Sequence, residues 1–256
     1  PFTTLVVKNV AIIDRNPVPD PADPAKAPVD TFFRAGYIIA EFSISSLFKG
    51  SSLGIERAYV SNAQMNLVLE DLIQDGQVLA NENLSRIFRL KRNPEKITNP
   101  NELFNIKEVE IENFCFALIN HKQIKTPRTG KIDWNDMLIQ NLNVKARDLK
   151  FKGGVMTGVV DKASFREKSG FTCKSLSGQA AVGNGKTIVR NIKLKDEWSD
   201  LNLPLYMMSY ANAQAFAEYI TEVKMDGEIE ESILDFRTLS YFTYELDNND
   251  LRLTVS

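Results

Sequence analysis

The stretch Ile106-Lys-Glu-Val109-Glu-Ile111-Glu-Asn113-Phe-Cys-Phe116-Ala-Leu118 decides the fold. It is apolar at its first position, apolar again at +3 and +5, carries asparagine at +7, and is apolar at +10 and +12. The same spacing occurs at Ile55-Glu-Arg-Ala58-Tyr-Val60-Ser-Asn62-Ala-Gln-Met65-Asn-Leu67. It occurs a third time at Trp134-Asn-Asp-Met137-Leu-Ile139-Gln-Asn141-Leu-Asn-Val144-Lys-Ala146. A weaker echo runs through Ile188-Val-Arg-Asn191-Ile-Lys-Leu194. Alternating apolar residues mark a strand with one face covered. Asparagine tolerates a left-handed backbone, so Asn62, Asn113 and Asn141 mark a kink, turn or bulge where two strand halves meet. Alternation on either side places one apolar row on a single face: Val60, Met65 and Leu67, then Val109, Ile111, Phe116 and Leu118, then Ile139 and Val144. A unit of this kind stacks on its neighbours and grows lengthwise.

Working outward, short alternating segments dominate the chain. Thr4–Ile13 and Phe32–Ile44 read as strands on either side of a Pro-rich insertion at 17–28, where proline removes backbone donors. Lys152-Gly-Gly154 and Gly183-Asn-Gly185 read as tight hairpin turns. The lysine and threonine after Gly185 do not turn the second of these into a phosphate loop, because the leading glycine is missing and a strand follows. Short helices are expected at about 82–90 and 212–224, the second with Phe216, Ile220 and Val223 on one stripe, and a helical turn at Ser45–Gly50. The expected fold is mainly β: an elongated, repeating antiparallel β-groove or sandwich-like sheet. The expected organisation is a first β-repeat segment over 1–90, a linker over 91–104 and continuing β-repeats over 105–256.

Composition narrows the chemistry. The 256 residues are 43% hydrophobic and 25% charged, which suits a globular chain rather than a disordered one. A net charge of -2 gives no basis for binding nucleic acid. One histidine and two cysteines argue against a metal site and leave nucleophilic catalysis dependent on His121 alone. That residue reads as an exposed loop histidine. Cys115 and Cys173 read as separately buried thiols. No catalytic residue, metal or cofactor is expected, and no enzyme activity. The chain starts at Pro1 and ends on a strand-like run, and is expected to be a piece of a longer protein.

One further segment, Ala163-Ser-Phe165-Arg-Glu-Lys-Ser-Gly-Phe171, followed by Leu176 and the Asn191 echo, resembles the envelope proteins of the TamB group within the AsmA-like superfamily. Stretches similar to the same proteins follow in order: Leu5–Asp14, Phe42–Gly50, Asn81–Phe88, Ile132–Asp136, and Phe216–Val223 with Leu234–Phe242. The resemblance covers nearly the whole chain, and the Pro-rich insertion departs from it. It implies a periplasmic segment of a protein held in the inner membrane by an anchor outside this sequence, folded as a β-groove with an apolar interior. It implies phospholipid or other acyl-chain cargo carried between the inner and outer membranes. The alternative it implies is a scaffold in outer-membrane protein biogenesis that binds a TamA-like barrel partner.

Overall fold

The structure, a computed structural model, describes residues 2–43, 53–74, 77–88, 102–122, 129–211, 223–243 and 251–255. Strand follows strand along the chain: β1 (Phe2–Ile13), β2 (Thr31–Ser43), β3 (Leu53–Gln74), β4 (Gln77–Glu82), β5 (Glu102–Asn120) and β6 (Asp136–Lys152). After them come β7 (Val155–Glu167), β8 (Thr172–Gly183), β9 (Lys186–Lys195), β10 (Asp200–Ser209), β11 (Lys224–Asp235) and β12 (Arg252–Val255). Two short helices interrupt the series, α1 (Asn83–Phe88) and α2 (Phe236–Phe242). Among the described residues the strands form one 12-stranded sheet in the order β1-β2-β3-β5-β6-β7-β8-β9-β10-β11-β12, with β4 branching from β3. It is a single open sheet, not two packed sheets. From β1 to β11 it is about 48 Å broad, taking ~4.8 Å per strand.

The chain is thus mainly β, as its alternation predicts, with one departure from antiparallel order. β3 and β5 are parallel. A parallel pair needs a long crossover, here supplied by β4, α1 and residues 89–101, the last of which lie outside the described residues. The first two repeat copies therefore lie side by side in the same direction, with Ala58 opposite Val109, Val60 opposite Ile111 and Met65 opposite Phe116. This pair spans the expected linker, so the segments on either side share one sheet. β5 already begins at Glu102, inside the stretch expected to be linker. The helix expected at 82–90 is found over Asn83–Phe88, with Glu82 in β4 and residues 89 and 90 outside the described residues. The one expected at 212–224 lies outside the described residues except for its end, where Lys224 opens β11. The turn expected at Ser45–Gly50 also lies outside them.

The asparagines form a crease across the sheet. Asn9, Asn62, Asn113, Asn141 and Asn191 all have φ of 50–51°. Gly36 lies between Asn9 and Asn62, and Pro204 lies opposite Asn191. Side chains tie the line together: Asn113 donates from Nδ2 to Asn62 Oδ1 at 2.8 Å and from its backbone N–H to Asn143 Oδ1 at 3.0 Å. Asn143 Nδ2 in turn donates to the Asn141 carbonyl at 2.9 Å. Each asparagine is one extra residue in its strand. Between β5 and β6 the register slips once at Asn113 and slips back at Asn141, so Ile111 faces Val144, Phe114 faces Leu142 and Phe116 faces Ile139. The two hairpins close as expected, with positive φ at Gly153, Gly154, Asn184 and Gly185.

A sheet this thin has little interior. Folded chains of 28.9 kDa expose about 11,400 Å² by the usual size scaling, whereas this one exposes 16370 Å². Among the described residues the apolar cluster of buried residues is Ile132, Phe171 and Cys173, packed against Phe165, Leu176 and Tyr241. Polar networks pin the ends of the strands instead. Arg86 of α1 pairs with Asp14 and Glu70, with its Nε 3.1 Å from Asp14 Oδ2. His121 lies between Glu70 and Asp20, at 3.5 and 3.8 Å. Its side chain is only 6% exposed, which corrects the expectation of a solvent-exposed histidine. These contacts fasten the Pro-rich insertion, which is a loop closed by a bond from Asp14 N–H to the Asp30 carbonyl. At the same end of the strands, but toward the other edge of the sheet, Asp196 accepts from Ser199 N–H and Thr238 Oγ1, each at 2.6 Å. Ser199 Oγ donates to Thr238 Oγ1 at 2.8 Å. Asp235 caps α2 by accepting from Arg237 N–H at 3.0 Å and pairs with the Arg237 guanidinium. The guanidinium lies 3.9 Å from the centre of the Trp198 ring.

Two outcomes follow from this anchoring. Asn113→Ala forces a methyl side chain into left-handed backbone and removes the ladder, so it costs about 2 kcal/mol in urea unfolding. Asn113→Gly keeps the backbone comfortable and loses only the ladder, about 1 kcal/mol; the opposite ranking contradicts the crease. Arg237 holds the Asp235 carboxyl below its usual value of 3.8. A carboxylate lowered on folding stabilises above that value and loses its contribution as pH falls through the folded value. Asp235→Asn keeps a capping oxygen. The gap in melting temperature between wild type and Asp235→Asn is therefore constant near neutrality and closes as acid protonates Asp235; a gap that widens in acid contradicts this assignment.

Candidate functional site

The register assigns faces. Because each crease asparagine adds a residue, the alternation changes phase there, and apolar residues on both sides of it meet on one face. Val109, Ile111, Phe116 and Leu118 of β5 therefore share a face with Val144 and Ile139 of β6. In-register parallel pairing puts Val60, Met65 and Leu67 of β3 on that face too. The structure thus brings together all nine residues named from the sequence. It also adds residues the repeat does not mark. Leu142 and Phe114 lie within the row. Val7 and Ile38 continue it at one end, since Val7 pairs with Ile38 and Ile38 with Val60. Ala163 and Leu176 continue it at the other.

All nine named residues are half-buried. Neighbouring side chains on the same face cover their flanks, and among the described residues no second sheet covers their tips. The covered part of the face lies at one end, where α2 and the loop before β6 lay Tyr241, Phe242 and Ile132 against Phe171. The Phe171 and Phe242 rings are 5.0 Å apart, edge to face. Trp134 lies outside this plug against Phe242 and is 53% exposed.

The opposite face is polar. Glu110 bonds Lys145 at 2.9 Å and Arg57 at 3.3 Å, and Tyr59 donates to Glu112 at 2.6 Å. Arg147 pairs with Asp161 at 3.0 Å. The Lys145 ammonium beside Glu110 holds that carboxyl below the usual carboxylate range, and the bond to Glu112 raises the Tyr59 hydroxyl. Such exposed pairs keep this face wet at little gain in stability.

Among the described residues no group of three or more His, Cys, Asp or Glu side chains is arranged to hold a metal ion. Cys115 and Cys173 are both free thiols. Burial pushes the Cys173 thiol up to about 11 and also raises that of Cys115. His121, the one candidate for nucleophilic chemistry, is held between the Glu70 and Asp20 carboxylates. The asparagine that sequence comparison of the copies missed is Asn9. Phe2, Leu5, Val7 and Ile12 stand at the repeat offsets around it, but the final apolar position is Asp14.

A native thiol titration with a maleimide checks the burial pattern. Cys173 is expected to react only after unfolding, and fast native labelling of Cys173 contradicts its place under the plug. No protein-family model, no curated protein and no solved structure matches this chain.

Proposed function

We propose that this chain is a periplasmic segment of an inner-membrane-anchored protein of the AsmA/TamB type, and that it carries phospholipid along the apolar face of its sheet. The observation that carries this reading is the continuous row from Val7 to Val144, apolar on one face through successive strands and half-buried, which ends at the buried Ala163 and at Leu176 against the plug. Acyl chains need no catalytic group for recognition. Burying a methylene is worth roughly 0.8 kcal/mol, so ten methylenes half-covered by such a face contribute on the order of 4 kcal/mol. The row crosses the strands, so cargo lies along the breadth of the sheet. The polar face, with its paired charges, faces water.

The second reading is a scaffold for outer-membrane protein assembly that binds a TamA-like barrel. The open end of the sheet at β1 favours it. Cross-linking in cells separates the two: a scaffold captures an envelope protein through β1, whereas a carrier captures lipid through the apolar face.

Mass spectrometry of gently purified protein tests the first reading. Wild type is expected to retain phospholipid. Ile111→Asp places a charge in the acyl path and is expected to retain about tenfold less, the equivalent of ~1.4 kcal/mol, with an unchanged β-type circular dichroism spectrum. A lipid-free wild type, or an Ile111→Asp variant that retains as much as wild type, sinks the proposal.

A further inference from the structure

The two ends of the sheet are guarded differently. At one end β12 covers only Ser232–Asp235 of β11. The rest of that strand carries Asp226, Glu228, Glu230 and Glu231, all exposed. A row of like charges repels an added strand. At the other end β1 is a 12-residue strand, and among the described residues nothing pairs with its outer edge. Its one charged residue is Lys8, whose ammonium is 5.4 Å from the centre of the Tyr37 ring on its own sheet. Leu5, Val6 and Ile13 are 52%, 45% and 47% exposed. Long, uncharged, apolar edges are pairing sites.

The crease says which strand fits. Asn9 has the same left-handed backbone as the other crease asparagines, so a strand added to β1 must accommodate the same extra residue. β5 and β6 show how two such strands pair antiparallel. The residue two before one asparagine faces the residue three after the other, and the residues just after each asparagine face one another. That rule is symmetric, so it applies unchanged to two copies of β1. It brings Val7 opposite Ile12 of the second copy and Val10 opposite Val10. It brings the exposed Val6 opposite the exposed Ile13, while Lys8 faces Ala11 and meets no like charge. A two-fold contact of this kind is isologous and closes on itself.

We infer that β1 is a self-association edge: two copies of this chain pair antiparallel through β1 about a two-fold axis at Val10, joining their sheets, and their apolar faces, into one. The test is light scattering with size exclusion over a concentration series. Wild type is expected at twice the chain mass. Val6→Lys with Ile13→Lys sets like charges opposite one another and is expected to run at the mass of one chain. Val6→Lys with Ile13→Glu sets opposite charges there and is expected to restore the dimer. A wild type that stays monomeric at every concentration, a double-lysine variant that remains dimeric, or a Lys/Glu variant as monomeric as the double lysine overturns the inference. Should the charged variants lose their β-type spectrum, Val10→Cys decides. An interchain disulfide on mild oxidation supports the pairing, and its absence overturns it.

Discussion

One asparagine in left-handed backbone within each of β1, β3, β5, β6 and β9 is the constraint on which the rest depends. Alternation alone puts every second side chain on one face, and a single extra residue reverses that choice. Asn113 and Asn141 each add such a residue, and the slip between β5 and β6 at the first is undone at the second. The apolar row therefore crosses the crease without changing face. Asparagine suits the position because it tolerates φ near 50° and bonds its neighbour across strands, as Asn113 does with Asn62. Glycine would satisfy only the first requirement.

A one-layer sheet cannot rely on a thick core, so its ends carry unusual responsibility. Arg86 with Asp14 and Glu70, and Asp196 with Ser199 and Thr238, are buried polar sets at the same end of the strands. Each joins a loop to a short helix. α1 and α2 are too short to be stable alone, and these sets hold them in place. Removing one partner from a buried set is more damaging than its modest net worth suggests, since it strands a charge away from water. The aromatic plug of Phe171, Tyr241 and Phe242 depends on the second set through the Asp235 cap.

How much of this is legible before the structure differs by element. The three copies, their asparagines and both glycine hairpins are local patterns, and alternation makes them readable. The nine apolar residues follow from the same pattern. The parallel pairing of β3 with β5 is not readable, because it depends on where the crossover of β4 and α1 returns the chain. The burial of His121 is hidden for a related reason: Glu70 and Asp20 are distant in sequence, and nothing near residue 121 announces them. Asn9 escapes because a charged residue ends its copy.

The account's central claim is that the face carrying Val60, Ile111, Phe116 and Val144 is the one that meets acyl chains. Photolabelling with a diazirine-bearing phospholipid, followed by peptide mapping, tests it most directly. The account predicts adducts on that row and its extensions, at alternate residues on either side of each crease asparagine. Adducts on the Arg57, Glu110 and Lys145 face, or labelling scattered without regard to face, would contradict it.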